Sequence, residues 1–193
     1  MKGKLHSLTM TRSRARRQVA PTRRNKQALI GGGRPMTTLV EKSKMTVDGL
    51  IAKRHEPRTY EEKVRHALDV IEMHLQEENP DRIDECIRLY TDDAVWEAPA
   101  RKVSYAGRDL IKKMYLRVFN GVVDFEFTPV ERWATPDRVF DDSYASFKIT
   151  GDAFENCPYP IGTKVQMRLI HNFHIRDGLI SREIGYEVWR RAE

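Results

Sequence analysis

Hydrophobic residues between positions 59 and 118 repeat with the spacing of amphipathic helices. Thr59 and Glu62 form a capping-box pattern, which predicts the start of a first helix. Its apolar stripe follows the i, i+3, i+4, i+7 spacing and consists of Val64, Ala67, Leu68, Ile71 and Leu75. Pro80 and Gly107 mark the predicted starts of a second and a third helix. A short strand is predicted over residues 94–98, between the second and the third helix.

After residue 121 the pattern changes to an alternation of apolar and polar residues, which predicts β-strands. Four strands are predicted, over residues 123–127, 138–149, 164–175 and 179–189. Asp177 and Gly178 predict a tight turn that joins the last two strands into a hairpin. Because the helices come first and the strands follow, the order predicts an α+β fold with an antiparallel sheet.

Composition and charge separate the N-terminal segment from the rest of the chain. The chain has 193 residues and a net charge of +6, but residues 1–40 contain ten Lys and Arg and no acidic residue. The remainder is therefore slightly acidic. Hydrophobic residues make up 40% of the chain and never form the run of about 18 that a membrane-spanning helix needs. Two cysteines are too few for a disulfide framework or a zinc site of their own.

The basic segment 1–40 lacks aromatic residues and hydrophobic periodicity, so we predict a disordered arm. It fits a dispensable extension, an organellar transit peptide, or an arm that binds nucleic acid or anionic lipid. An export signal is disfavoured because only three apolar residues follow Arg24 before the glycines. Residues 41–58 are interpreted as a polar linker and residues 59–193 as the folded domain. A cytoplasmic location is expected, or an organellar one if the arm is a transit peptide.

Three segments resemble the SnoaL-like group of the nuclear transport factor 2-like superfamily. They are IRLYTDDAVWEAP at 87–99, YAGRDLIKKMY at 105–115 and NFHIRDGLISREIGYEVWR at 172–190. The resemblance covers residues 59–190 and implies a cone-shaped fold, in which three N-terminal helices pack on a curved antiparallel sheet around a pocket. It also implies a homodimer. Members include polyketide cyclases, ketosteroid isomerases, limonene-epoxide hydrolases, scytalone dehydratases and non-catalytic binding proteins, so the fold alone does not determine the function.

The limonene-epoxide hydrolases can be compared residue by residue. Arg138 matches their arginine, but Phe140 and Gly185 stand where they carry aspartates, so epoxide hydrolysis is not expected. Their alignment would also place Glu183, Gly185 and Glu187 inside the cone, whereas simple alternation places them outside. A β-bulge would reconcile the two, and the sequence leaves this question open.

A two-residue turn would make His171 and Tyr186 diagonal neighbours on the apolar face of the last hairpin. His171 is then a candidate general acid or base and Tyr186 a candidate donor. Asp141 interrupts an apolar series in the preceding strand and is a candidate base with a raised pKa. The alternative is structural: a buried histidine paired for stability, and an aspartate at a polar bend.

Trp96, Tyr105 and Phe125 are candidates for an aromatic pocket wall, and Glu183 is a candidate polar contact. The three aromatic residues fit a plain core equally well. The six histidines lack metal-ligand spacing, and no cofactor motif is found. We therefore expect a cofactor-independent isomerase, cyclase or dehydratase that acts by proton transfer on an apolar or aromatic carbonyl compound. The alternative is a non-enzymatic binding or assembly module, and the sequence does not decide whether the protein is an enzyme.

Overall fold

The computed structural model describes residues 45–192, and the predictions for residues 1–44 lie outside this range. Four α-helices occur within it: α1 (Val47–Lys53), α2 (Tyr60–Glu77), α3 (Ile83–Arg88) and α4 (Arg108–Gly121). The strands are β1 (Tyr90–Ala98), β2 (Val103–Ala106), β3 (Val122–Thr135), β4 (Arg138–Ile149), β5 (Lys164–Arg176) and β6 (Leu179–Arg191). A single 3-10 turn, Pro99–Arg101, joins β1 to β2.

The six strands form one curved sheet in the order β2-β1-β6-β5-β4-β3. Neighbouring strands are antiparallel except β1 and β6, which are parallel. The parallel pair joins strands that are far apart in the chain. After β1 the chain forms β2, α4 and the strands β3, β4 and β5, and β6 then lies beside β1. The predicted α+β fold is confirmed, with this one parallel contact in an otherwise antiparallel sheet.

Helix α2 begins at the predicted capping box. The Thr59 hydroxyl accepts from the Glu62 backbone N–H, and the Glu62 carboxylate accepts from the Thr59 backbone N–H. The buried face is rotated from the predicted stripe and carries His66, Ala67, Val70, Ile71, Met73 and His74. Two histidines therefore enter the interior on a helix whose apolar pattern does not mark them.

Helix α1 lies inside the segment 41–58 that the sequence pattern indicates as a linker. Its Leu50 is fully buried and belongs to the main hydrophobic cluster, so this part of the segment is packed structure. The Thr46 side chain caps the helix by accepting from the Gly49 backbone N–H.

Strand β2 is the second element that the pattern does not predict. No helix among residues 45–192 combines the length and apolar character that crossing a membrane requires.

The last hairpin has the predicted turn but a different register. Asp177 and Gly178 both have positive φ, at 52° and 71°, as a tight hairpin turn requires. Ile175 pairs with Ile180, and His174 then pairs with Arg182, which leaves Ser181 as an extra residue in β6. This bulge reverses the sides of every later residue in β6. The simple-alternation prediction is therefore wrong for β6: Glu183, Gly185 and Glu187 face inwards and Tyr186 faces outwards.

Candidate functional site

A small cavity lies between helix α4 and the inner face of the sheet, with a volume of about 70 Å³. Most of its wall is apolar and consists of Met114, Val118, Phe125, Phe147, Phe154, Met167 and Leu169. Polar residues line it as two groups, His171 with Glu183, Glu78 and Tyr115, and Arg101 with Glu187. The polar side chains are fewer than the apolar ones and all are buried except Glu78, which is 24% exposed; this is the composition of a small-molecule site.

His171 lies between two buried carboxylates. Strand pairing places Asp141 of β4 directly opposite His171 of β5, and the β6 bulge turns Glu183 to the same side. The Nδ1 atom is 3.6 Å from Oδ2 of Asp141, and Nε2 is 3.6 Å from Oε1 of Glu183. These distances are ion-pair contacts slightly longer than hydrogen bonds. An imidazole in this position can hold a proton or release it towards the cavity.

Asp141 is fully buried and held by a second set of polar side chains. The Nε–H of Arg132 donates to its Oδ1 at 2.7 Å, and the Ser143 hydroxyl donates to its Oδ2 at 2.8 Å. Arg132 also donates to Glu72 on α2 at 2.7 Å. The carboxylate of Asp141 is thereby fixed in place beside His171.

Glu183 accepts hydrogen bonds from two tyrosines. The Tyr90 hydroxyl donates to Oε2, and the Tyr115 hydroxyl lies 3.2 and 3.1 Å from Oε1 and Oε2. Glu183 is only 1% exposed, so these donors replace the water that an ionised carboxylate would otherwise bind. Tyr90 of β1 and Tyr115 of α4 thus hold the Glu183 carboxylate of β6 in place.

His74 of α2 completes the cluster. Cys86 Sγ lies 3.1 Å from its Nδ1, while its Nε2 lies 3.4 Å from Glu78 and 3.8 Å from Glu183. Burial raises the pKa of the Cys86 thiol well above its usual value, so the thiol keeps its proton in this contact with Nδ1.

The two histidines respond to burial differently. Burial is the largest single effect on each histidine and acts to lower its pKa. At His74 this effect prevails, and the pKa is about 4. At His171 the contact with Asp141 and the charge of Glu183 outweigh burial, and its pKa is raised above 6.5. Within this cluster the protonated form is therefore favoured at His171 and disfavoured at His74.

The pKa values of the carboxyl groups of Asp141 and Glu78 are shifted in opposite directions. Burial raises the pKa of Asp141, but the contacts with His171 and Arg132 outweigh it and bring that pKa down to about 2. The sequence-based expectation of a raised pKa is therefore wrong, since Asp141 stays ionised and orients His171. Glu78 lines the cavity, and burial together with the charge of Glu183 raises its pKa to about 8. Glu78 thus carries a proton at neutral pH and can donate it.

The remaining sequence-predicted site residues fall into three positions. Trp96 and Phe125 line the cavity together with His171 and Glu183, and Phe125 is 51% exposed at its edge. Tyr105 packs on Trp96 with ring centroids 5.9 Å apart and does not line the cavity. Tyr186 is 46% exposed on the outer face, because the β6 bulge turns it away from His171. The predicted His171–Tyr186 pair is therefore not formed.

Arg101 and Glu187 form the second polar group of the cavity. The side chains are both only 4% exposed, and two guanidinium N–H groups donate to the two carboxylate oxygens at 2.8 and 3.0 Å. A third donates to the backbone carbonyl of Glu155 at 2.9 Å. Arg168, on the outer face of the sheet, contacts Asp142 and is separate from this pair.

Several polar residues of the site escape sequence reasoning. Tyr90 and Tyr115 occupy apolar stripes and read as core residues, and Arg132 stands alone in β3 without a motif. The sequence offers one signal for such residues: a carboxylate at an inward-facing strand position needs hydrogen-bond donors nearby. Among residues 45–192, no group of three His, Cys, Asp or Glu side chains is arranged to hold a metal ion.

His171 and His74 are expected to titrate on opposite sides of pH 6.5. Nitrogen-15 NMR of the histidine side chains should show His74 neutral down to about pH 4 and His171 protonated above pH 6.5. The Asp141→Asn variant removes the charge next to Nδ1 and should lower the His171 pKa. A His171 that titrates below 6.5 would show that burial dominates at this site.

Comparison with known proteins places the fold in one family. Residues 69–183 match the family model of the SnoaL-like domain. The sequence has no significant match among curated proteins.

Three solved structures that share the fold each align with 65% of this chain. An LEH-like epoxide hydrolase of M. tuberculosis is 19% identical, with a TM-score of 0.52 over 85% of its length. A nuclear transport factor 2-like protein of Burkholderia xenovorans is 11% identical, with a TM-score of 0.54 over 91% of its length. A computationally designed 17-OHP binder is 16% identical, with a TM-score of 0.51 over 98% of its length. At these identities the similarity establishes the fold alone.

Proposed function

The chain belongs to the family of SnoaL-like domains, and we propose that it binds a small apolar or aromatic carbonyl compound and moves a proton on it without a cofactor. The observation that carries this proposal is the position of His171. It lines an apolar cavity, and one carboxylate lies at each of its ring nitrogens. This is the arrangement that tunes an imidazole for acid–base catalysis near neutral pH.

The proposed reaction begins with neutral His171, which removes a proton from the carbon next to the carbonyl group. The C–H electron pair forms the carbon–carbon double bond of an enolate, and the carbonyl oxygen takes the negative charge. Asp141 stabilises the imidazolium that results. In a β,γ-unsaturated ketone the enolate is conjugated with the second double bond, and return of the proton to the γ-carbon gives the α,β-unsaturated isomer. The protonated Glu78 is a second proton donor on the cavity wall.

A second candidate function is a binding or assembly module without catalysis. Its support is the cavity volume of about 70 Å³, below the roughly 300 Å³ that small-molecule sites usually reach. A planar bicyclic ligand would require the cavity to open. Phe125, half exposed at the cavity edge, is the wall residue that is least restrained by packing.

The proposed homodimer has separate support on the outer face of the sheet. Trp133, Phe140 and Tyr186 surround an apolar groove there, and Trp133 and Tyr186 are 53% and 46% exposed. Exposed apolar patches of this kind are typical of protein interfaces. A second copy of the chain is the partner we propose for this face.

Exchange of α-protons tests the catalytic proposal. The wild-type protein is expected to accelerate the exchange of deuterium into 2-indanone, a planar aromatic ketone, as followed by proton NMR in D₂O. The His171→Gln variant should lower the rate at least about 100-fold, because a positioned general base contributes roughly 10²–10⁴. The matched control is His174→Gln, three residues further along β5 and outside the cavity lining, which should keep the wild-type rate.

Two outcomes would contradict the proposal in different ways. A His171→Gln variant with the wild-type exchange rate would show that another group is the base. Binding of 2-indanone without any exchange by the wild-type protein would favour the non-enzymatic candidate.

A further inference from the structure

The indole N–H of Trp96 is a buried donor without an acceptor. Trp96 is 6% exposed, and its Nε1 has no hydrogen-bond partner among the residues that the structure describes. The other two tryptophans differ, since Trp189 donates to Glu187 at 2.8 Å and Trp133 is 53% exposed. Buried N–H groups are nearly always paired, because an unpaired one loses its hydration without compensation. An unpaired indole in a cavity wall therefore indicates a ligand acceptor.

The position of Trp96 relates this donor to the proposed reaction. Trp96 in β1 pairs with Glu183 in β6, and its Cζ2 atom lies 3.9 Å from where a side chain on Gly185 would begin. Gly185 in turn lies directly opposite His171. The side-chain atom nearest to the Cβ position of Gly185 is Cδ1 of Leu169, at 3.6 Å. Trp96 and His171 line the same cavity, so one small molecule in it can contact both groups.

Two of the other donors that line the cavity, Tyr115 and Arg101, are already in use, whereas Nδ1 of His171 also has no hydrogen-bond partner among the described residues. Tyr115 donates to Glu183, and the guanidinium of Arg101 donates to Glu187 and to the Glu155 carbonyl. His171 and Glu78 gain and lose protons. Trp96 is thus the lining residue, within the described range, that offers a permanent donor without an acceptor.

We propose that the Nε1–H of Trp96 donates a hydrogen bond to the carbonyl oxygen of the ligand, an inference that rests on the proposed function. This oxygen gains negative charge when His171 removes the α-proton, so a donor fixed at this point stabilises the enolate more than the ketone. Because Arg101 is neutralised by Glu187, the site favours an uncharged ligand with one oxygen acceptor over a carboxylate.

A matched pair of ligands tests the hydrogen bond. Indane has the shape of 2-indanone but has a methylene group in place of the carbonyl. In proton–nitrogen NMR spectra of the full chain, 2-indanone should shift the indole N–H signal of Trp96 downfield, whereas indane should not. The indole signal of Trp133, which is 53% exposed on the outer face, is the internal control and should stay in place with both ligands.

The Trp96→Phe variant provides the second measurement. It should weaken binding of 2-indanone about 3- to 10-fold, the usual contribution of one hydrogen bond, and leave the affinity for indane unchanged. Trp133→Phe on the outer face is the matched control and should change neither affinity. Equal weakening of both ligands by Trp96→Phe would reduce the role of the indole to packing.

The outcomes separate this inference from the function on which it rests. Binding of 2-indanone with an unmoved Trp96 indole signal overturns the hydrogen bond and leaves the ligand-binding cavity intact. Failure of both ligands to bind, up to their solubility limits, overturns the cavity as a site for such compounds and the role of Trp96 with it.

Discussion

Replacement of Arg101 by methionine is expected to lower the free energy of unfolding by about 3–5 kcal/mol. The substitution removes the cation from a pair whose side chains are both 4% exposed, and it leaves Glu187 as an uncompensated buried charge. The Trp189 indole remains as a donor to Glu187, but one neutral donor does not replace a bidentate guanidinium. Urea denaturation of the full chain at pH 7 measures this difference.

Two further variants make the test specific to the buried charge. The double variant Arg101→Met, Glu187→Leu removes both charges and should recover most of the lost stability, because the penalty comes from the unpaired carboxylate. Arg182→Met breaks the more exposed pair with Glu97 and should cost no more than about 1 kcal/mol. A cost below 1 kcal/mol for Arg101→Met would mean that water reaches Glu187.

The fold could be predicted from the sequence because its signals are local. The capping box at Thr59 and the turn at Asp177-Gly178 each determine a conformation within four residues, and the structure has both. Helix α1 escapes such reasoning because it has seven residues, and its two buried positions, Val47 and Leu50, do not make a periodic pattern. Its stability comes from packing against the main cluster, which sequence periodicity does not report.

The site could be predicted only in part, because it depends on register. The inward face of β5 was predictable from alternation, so His171 appears on the correct side of the sheet. The same rule fails in β6, where one extra residue, Ser181, exchanges the two faces. Serine is common in strands and turns alike, so nothing in the local sequence marks the bulge.

The charge state of Asp141 illustrates the same limit for electrostatics. An aspartate in an apolar strand series indicates burial, and burial alone would raise its pKa. Its pKa is instead lowered because Arg132 and His171 approach it from β3 and β5. Such approaches follow from strand pairing between residues up to 30 positions apart. Reliable prediction of Asp141 as an orienting group therefore requires the sheet register first.

Replacement of Asp141 by asparagine is expected to destabilise the protein by about 3 kcal/mol at pH 7. The low end of the range for broken buried pairs applies because Arg132 keeps its second partner, Glu72. The native pKa of about 2 lies below the ordinary value of 3.8, so the unfolded chain binds more protons between these values. The stabilisation by Asp141 is therefore complete above about pH 4 and is lost as the pH falls towards 2.

Urea denaturation at pH 7, 4 and 2.5 measures this dependence as the difference between wild type and Asp141→Asn. Other groups contribute to each curve separately. The lowered pKa of His74 makes stability fall from pH 6.5 towards 4, and the raised pKa of Glu78 makes it fall from pH 4.5 towards 8. The charge of Asp141 acts on the pKa values of His74, Glu78 and His171 as well, so the difference reports Asp141 together with its effect on these three groups. The exposed Asp137→Asn control should follow wild type within about 0.5 kcal/mol. A difference that stays constant from pH 7 to 2.5 would show that Asp141 contributes through packing, with its charge of no consequence for stability.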